Sequence, residues 1–364
     1  MNRRNDPRFF ALLVHEGLLS APLARDAMAA DDPVDFLIAG GHVTAEQWEV
    51  WEATEAGKRP QLTRYELGGL LGEGGMARVF EATDRSAGDI SALKVLKPSL
   101  CKDATVVRRF IAESNLLIDL KCDHIVAAHR VAREGDAIYL EMELLEGRCL
   151  QDDLSEDTPM DELEALSIVV QIAKALEYLH GRGLVHRDIK PGNIIQCSDG
   201  RAVLIDLGFA VGSDGDDSDL TSGTVHYISP EQATGSGQLD VRADIYSLGC
   251  TLYHLVTGSL PFDGESSEEV MARQVLDTLS DERIKAIGLS QQAHFFIEKM
   301  MAKEKEIRFQ DPAELIAEIE GYLKSVAWEA EQDAAREKPK RGSTLRSQAR
   351  GRPTRRRTGR RRPR

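Results

Sequence analysis

Residues 183–196 read "GLVHRDIKPGNIIQ", and this stretch decides how the rest of the chain is read. Apolar residues flank a middle that holds two bases, an acid and an amide: Arg187, Asp188, Lys190 and Asn193. Buried charge is costly unless it is paired or used. Two readings are open. Either these side chains satisfy one another in a structural network, or they meet a charged ligand.

Downstream, "VLIDLGFA" (203–210) puts Asp206 after three apolar residues of a buried-looking strand. An acid there needs a cation. Carboxylate and amide oxygens suit Mg²⁺, so Asn193 and Asp206 form a candidate metal pair, with phosphates and water completing the shell. Asp188 is then free to accept a hydrogen bond from a substrate hydroxyl, and Lys190 to offset charge on a transferred group. Upstream, "LGEGGMARV" (71–79) places Gly72, Gly74 and Gly75 between two strand-like runs. Glycines let backbone N–H groups approach a phosphate closely, although many hairpins are equally glycine-rich. Lys94 in "SALKVLK" alternates with Leu93 and Val95 on a short strand. Its ammonium can reach an anion held under the glycine turn, with Glu113 of "RFIAESNLL" expected to pair with it and hold it in place. The ordinary alternatives are a solvent-facing lysine and a solvated helical glutamate.

The chain of 364 residues has 42% hydrophobic residues, enough for a sizeable core in two domains or one bilobal domain with additions. The formal net charge of −14 hides an asymmetry. Residues 338–364 hold 13 Lys/Arg and no Asp/Glu, which leaves 33 basic against 60 acidic groups elsewhere, a net of −27. Cys101, Cys122, Cys149, Cys197 and Cys250 are scattered, without Cys-x-x-Cys spacing, and read as reduced thiols of a cytoplasmic protein. The N-terminal apolar run is short and broken by His15 and Glu16, unlike a signal peptide. No run of 18 uninterrupted apolar residues suggests a transmembrane helix.

Residues 1–55 carry a weak internal repeat. "LLVHEGLLSAPLARDAM" (12–28) overlays "FLIAGGHVTAEQWEVWE" (36–52) at an offset of 24. Each copy reads as a helix, a glycine, an apolar residue, a Ser or Thr at an N-cap position, and a second helix. This predicts a small helical module, either a solubilising extension or a docking module. Residues 56–62 read as a linker. Strand-like runs and one helical run follow. Among them "HIVAAHRVAREGDAIYLEMELL" predicts two strands joined at Glu134-Gly135-Asp136. From about residue 160 helical periodicity dominates. A sheet-rich lobe followed by a helical lobe puts a ligand cleft between them.

Taken together and in this order, the motifs resemble those of a bacterial-type, eukaryotic-like protein serine/threonine kinase over residues 63–325. "HRDIKPGN" is similar to the catalytic-loop pattern, "ALKVL" to the third-strand lysine motif, and "SPEQA" to the end of the activation segment. The resemblance implies an α+β bilobal fold, with an antiparallel sheet plus one helix in the N-lobe and a helical C-lobe. It implies ATP and Mg²⁺ (or Mn²⁺) as cofactors and Ser/Thr hydroxyls of proteins as acceptors, with autophosphorylation in the activation segment. Asp188 and Lys190 take the catalytic roles, and Asn193 and Asp206 the metal. Leu71, Gly72, Gly74, Gly75, Val79, Ala92, Lys94, Glu113, Glu143, Leu145 and Ile195 take ATP, with Met142 guarding the back of its pocket. Thr224 resembles the residue that braces Asp188 and Lys190. Glu231 with Arg308 resembles a buried ion pair, and Asp244 a support for the catalytic loop. Thr221 and Ser222 are the candidate phosphosites, and Arg187 the candidate phosphate receiver.

Two positions depart from the family pattern: Ala77 stands for the third glycine of the loop, and Leu207 for the phenylalanine after the metal-binding acid. They are the sequence support for the alternative of a non-catalytic kinase fold. Residues 326–364 read as a helical extension running into a disordered basic tail. Residues 338–364 are candidates to bind a polyanion, nucleic acid or an anionic membrane surface, or to fold back on the acidic body, or to remain a solvated end.

Overall fold

A computed structural model describes residues 7–15, 19–30, 32–45, 48, 60, 62–154, 159–207, 225–235, 239–279 and 288–337. By its internal packing the chain divides into two units, residues 1–320 and 321–364.

The first unit opens with three short helices, α1 (Pro7–His15), α2 (Ala21–Met28) and α3 (Pro33–Ala39). Ser20 and Asp32 cap α2 and α3, each followed within two residues by a proline that fits the first helical turn. Phe9, Phe10, Leu13, Ala27, Val34, Leu37 and Trp48 share a core, with Phe9 edge-on to Trp48 at 5.4 Å between centroids. Trp48 N–H donates to the Thr44 carbonyl, as a helix starting after Thr44 requires. Most of the segment 46–55 and of the linker 56–62 lies outside the described residues.

A five-stranded antiparallel sheet follows, in the order β1-β2-β3-β5-β4: β1 (Tyr65–Glu73), β2 (Ala77–Asp84), β3 (Ile90–Leu96), β4 (Ala128–Glu134) and β5 (Ala137–Met142). The 135–136 turn carries Gly135 at φ +58°, a left-handed conformation that glycine adopts without steric cost. Side chains alternate across the sheet. Phe80, Ala82, Leu93, Val95 and Tyr139 bury one face. Register puts Val79, Ala92, Lys94, Leu140 and Met142 on the other. One helix, α4 (Ala104–Asp119), capped by Asp103, packs on β4.

The chain then runs extended through 143–146 into a small antiparallel sheet, β6 (Gly147–Cys149), β7 (Ile194–Cys197) and β8 (Ala202–Leu204), in the order β6-β7-β8. These strands of three or four residues are too short to show alternation in the sequence, so the helical lobe carries a sheet that the resemblance did not specify. The helices are α5 (Leu150–Leu154), α6 (Glu162–His180), α7 (Pro230–Ala233), α8 (Val241–Thr257), α9 (Ser267–Leu276), α10 (Gln291–Met300) and α11 (Pro312–Glu337). In α8, 15 of 17 residues are buried, so it is apolar nearly all round, as expected of a central helix. A Cβ on its Gly249 would lie 2.8 Å from Met300 Cβ, so only glycine lets α10 approach this closely. Of the second unit, residues 321–337 are described and form the C-terminal part of α11. The expected disordered tail, 338–364, lies outside the described residues.

Candidate active site

The stretch that opened the sequence reading links α6 to β7. Its backbone is held from two sides. α8 starts at an Asp240 cap, and Asp244, in its first turn, is 1% exposed. The Asp244 carboxylate accepts the N–H groups of His186 (2.8 Å) and Arg187 (2.7 Å). Burial pushes this carboxyl up, and His186 and the two N–H donors oppose that shift. Arg187 has φ +69° and is the only non-glycine among the described residues with positive φ. Left-handed backbone costs a residue with a Cβ about 1–2 kcal/mol, so this conformation persists because its surroundings impose it.

Next to Arg187, the Asp188 carboxylate accepts from Lys190 Nζ (2.8 and 3.0 Å) and from Asn193 Nδ2 (2.9 Å), which also donates to the Asp188 carbonyl (2.8 Å). Asn193 ends a 3₁₀ turn, Pro191–Asn193, and its amide nitrogen is committed to Asp188. The amide oxygen is therefore the end that suits a hard cation.

The β7–β8 ladder pairs Ile194 with Leu204, and Ile205 N–H donates to the Asn193 carbonyl (3.0 Å). This registers Asp206 beside Asn193. His186 Nε2 bonds the Asp206 carbonyl at 2.8 Å. Leu207 is 5% exposed, so leucine fills the apolar position next to the acid.

Lys94 Nζ lies 2.6 Å from Asp206 Oδ1, bringing the sheet-rich lobe and the helical lobe to one point. The Asp206 side chain is 47% exposed, yet the protein packed around its carboxyl opposes ionisation. The Lys94 charge and hydrogen bond outweigh it, with His186 and Lys190 adding to the effect, and hold the carboxyl below its ordinary value. Glu113 does not hold Lys94 as the sequence suggested. Its carboxylate is bonded to Arg109 Nε at 3.1 Å, one turn back on α4. The helix offers Glu113 a cation on its own face, and Lys94 is taken up by Asp206. Burial raises the Glu113 carboxyl, with Arg109 and, more weakly, Lys94 opposing.

The other expected nucleotide positions frame the same region. Gly72, Gly74 and Gly75 lie where β1 turns into β2, with Gly74 N–H bonded to the Ala77 carbonyl. A Cβ at Gly72 or Gly75 would meet nothing of the chain within 4 Å. No contact within the described chain requires glycine at these two positions. Leu71 at the end of β1 is 48% exposed. Val79 pairs with Lys94, and Ala92 with Met142. Glu143 N–H donates to the Ala127 carbonyl, and its Oε1 accepts Ala127 N–H, both at 2.8 Å, which fixes the start of the extended link that includes Leu145. Ile195 pairs with Val203 beneath it. Among the described residues no cluster of three His, Cys, Asp or Glu could hold a metal. Asn193 and Asp206 together fit a cation whose remaining ligands are phosphate and water.

Glu231 and Arg308 form a fork-to-fork ion pair, Nη1–Oε1 2.7 Å and Nη2–Oε2 2.9 Å. Arg308 also donates to the carbonyls of Ala302, Arg242 and Lys303. Thr221, Ser222 and Thr224 lie outside the described residues. Sequence reasoning missed Gln232. Its Nε2 donates to the Arg187 carbonyl at 3.0 Å, while its Oε1 closes a capping box with Ser229. The Ser229-x-x-Gln232 spacing was a legible signal for the cap, but not for the link to Arg187.

The family description "Protein kinase domain" matches residues 65–318, and the chain belongs to that family. It is 35% identical over 270 residues to the serine/threonine-protein kinase PknB of Mycobacterium leprae, covering 71% of this chain and 43% of that protein. Against PknB of Mycobacterium tuberculosis it is 34% identical over 265 residues, 70% of this chain and 42% of the relative. A protein of Clostridium perfringens named as a probable serine/threonine-protein kinase is 35% identical over 264 residues, 72% of this chain and 38% of the relative. The chain thus spans about two fifths of the length of these curated relatives.

Proposed function

We propose that this protein kinase transfers the γ-phosphate of ATP to Ser or Thr hydroxyls of proteins. The observation that carries the reading is the meeting of Lys94 with Asp206, 2.6 Å apart, beside the Asp188–Lys190–Asn193 cluster. The names of its relatives agree with it. Phosphoryl transfer asks a protein for position and charge neutralisation more than for covalent chemistry.

The proposed tasks combine the family pattern with each residue's surroundings. Asp188, oriented by Lys190 and Asn193, accepts the hydrogen bond and then the proton of the acceptor hydroxyl. Lys190, already beside Asp188, offsets negative charge on the group in transfer. Asp206 and the Asn193 oxygen would hold the divalent ion, Mg²⁺ as the first choice, which would supply neutralisation of the phosphate oxygens. Lys94 serves the upstream phosphates, and the glycine turn covers them with backbone N–H groups. Leu71, Val79, Ala92 and Ile195 supply apolar contact to the adenine, and the 143–145 link its polar edge. Thr221 and Ser222 are the proposed autophosphorylation sites.

No helix of the described residues is long and apolar enough to cross a membrane. The five cysteines are free, which supports a reducing, cytoplasmic setting. The basic segment 338–364 is the proposed contact to polyanions, by counterion release. The test of the central reading is Asp188→Asn. Phosphate incorporation from labelled ATP into a protein substrate should be lost while the protein stays folded, and incorporation at the wild-type rate overturns the assignment.

A further inference from the structure

Resting on the phosphotransfer reading, we propose that Gln232 is a positioning residue of the reaction, holding the Arg187–Asp188 peptide from the side opposite Asp244. Arg187 is the strained residue of the loop, at φ +69°. Its N–H is held by Asp244 Oδ1 at 2.7 Å and its carbonyl by Gln232 Nε2 at 3.0 Å. The carbonyl belongs to the peptide group that leads into Asp188. Rotation of that group turns the Asp188 carboxylate away from Lys190 and Asn193. Asp244 holds the entry to Arg187; at its exit Gln232 holds the carbonyl side of the peptide, while Asp188 N–H meets His186 Nδ1 at the longer distance of 3.3 Å.

The other end of the same amide belongs to a different segment. Gln232 Oε1 accepts from Ser229 N and Oγ, both at 3.1 Å, and Ser229 Oγ accepts Gln232 N–H in return. This capping box starts α7, whose Glu231 is locked to Arg308. Gln232 therefore carries the placement of the segment after residue 225 to the acceptor-activating carboxylate. A glutamine suits both tasks because it offers a donor and an acceptor on one planar group. A glutamate, the usual partner in a capping box, satisfies only the cap.

Gln232→Glu separates the two tasks. The cap keeps its acceptor, and the second carboxylate oxygen faces the Arg187 carbonyl without a proton to donate. The charged and titratable groups of the elements it joins are Arg187, whose carbonyl it meets, with Asp244 and His186 holding the same loop, and Glu231 with Arg308 in its own turn. At pH 8.5 the variant should lose about tenfold or more in kcat, with KM for ATP within about twofold of wild type. As pH falls into the range where its carboxyl takes up a proton, it becomes a donor, and the ratio of variant to wild-type kcat should rise. Gln232→Met, with neither donor nor charge, should be impaired at every pH without this recovery. Denaturation midpoints of all three proteins establish that they are folded. The inference is overturned if both folded variants keep wild-type kcat, or if the Glu variant is impaired with a ratio independent of pH. A wild-type protein that transfers no phosphate overturns the proposed function, and this inference with it.

Discussion

Arg109→Ala should make the kinase more active, which is the opposite of what loss of a charged side chain beside an active site usually does. Arg109 bonds Glu113 at 3.1 Å within α4, and Lys94 is bonded to Asp206 instead. Phosphoryl transfer in this family needs the sheet lysine paired with the helix glutamate. The Arg109 bond therefore competes with the productive pair. An i,i+4 ion pair on a helix contributes about 0.3–0.5 kcal/mol, and a base placed N-terminal to its acid is the weaker orientation. Glu113 is only 14% exposed, however, and a hydrogen bond to a charged, desolvated group is stronger, about 1.5–3 kcal/mol at most. An intermediate value of about 0.5–1.4 kcal/mol converts to a factor of about 2–10 in the equilibrium between the two partners of Glu113.

The assay is steady-state phosphotransfer at ATP concentrations below KM. There kcat/KM for ATP should rise by about 2–10-fold in Arg109→Ala. The gain should vanish in a Glu113→Gln background, where no competition exists, so a double-mutant cycle isolates the effect. Burial already raises the Glu113 carboxyl, and loss of Arg109 raises it further. On the proposed function ionised Glu113 would be the productive form, so the variant's activity should climb with pH more steeply than that of the wild type. An unchanged or lowered kcat/KM in a folded Arg109→Ala protein would refute the competition.

Gly72→Ala should leave the denaturation midpoint unchanged or slightly raised, since a Cβ there meets nothing of the chain, while KM for ATP rises severalfold. Arg308→Ala should lower unfolding free energy by about 3–5 kcal/mol, measured by urea titration, because it strands a largely buried carboxylate and three carbonyls. The same pair sets an acid limit. Burial pushes the Glu231 carboxyl up, but the Arg308 hydrogen bonds and charge outweigh it and hold it below the ordinary 4.5. A carboxyl depressed on folding stabilises the protein above its unfolded value and loses that contribution as pH falls through the folded one. Stability of the wild type should therefore drop below about pH 4.5, and the drop should be shallower in Arg308→Met.

What was legible in the sequence is what repeats or is local. The β4–β5 hairpin announced itself by two strand-like runs around Gly135, and α8 belongs to the stretch after residue 160 where helical periodicity dominates. The site motifs were legible because each couples a residue type to a fixed offset: Asn193 five residues after Asp188, Asp206 at the end of an apolar strand. Partner choice was not legible. Spacing placed Glu113 near Lys94 but could not say which of two cations it meets, because the answer depends on the approach of α4 to the sheet and on competition from Asp206. The Gln232–Arg187 bond joins residues 45 apart, and nothing periodic connects them. The three-stranded sheet of the helical lobe stayed hidden because strands of three or four residues have no room for a pattern.

The choice posed by the charged stretch, network or ligand site, turns on how deeply each pair is buried. Arg308 is fully buried and its partner Glu231 12% exposed. Separating them would leave an uncompensated charge in a low-dielectric interior, so that pair is architecture. Lys94 and Asp206 are 18% and 47% exposed, and Lys190 and Asp188 23% and 24%. Water reaches all four, which lowers what each bond contributes and so the barrier to exchanging it. On the proposed function, a polyphosphate and its cation would replace the Lys94–Asp206 bond at small cost, whereas breaking the Arg308 pair would strand buried charge. On the proposed function these paired residues do both: they form a network that keeps the charges satisfied and oriented, and their bonds are weak enough to be traded for those of a ligand.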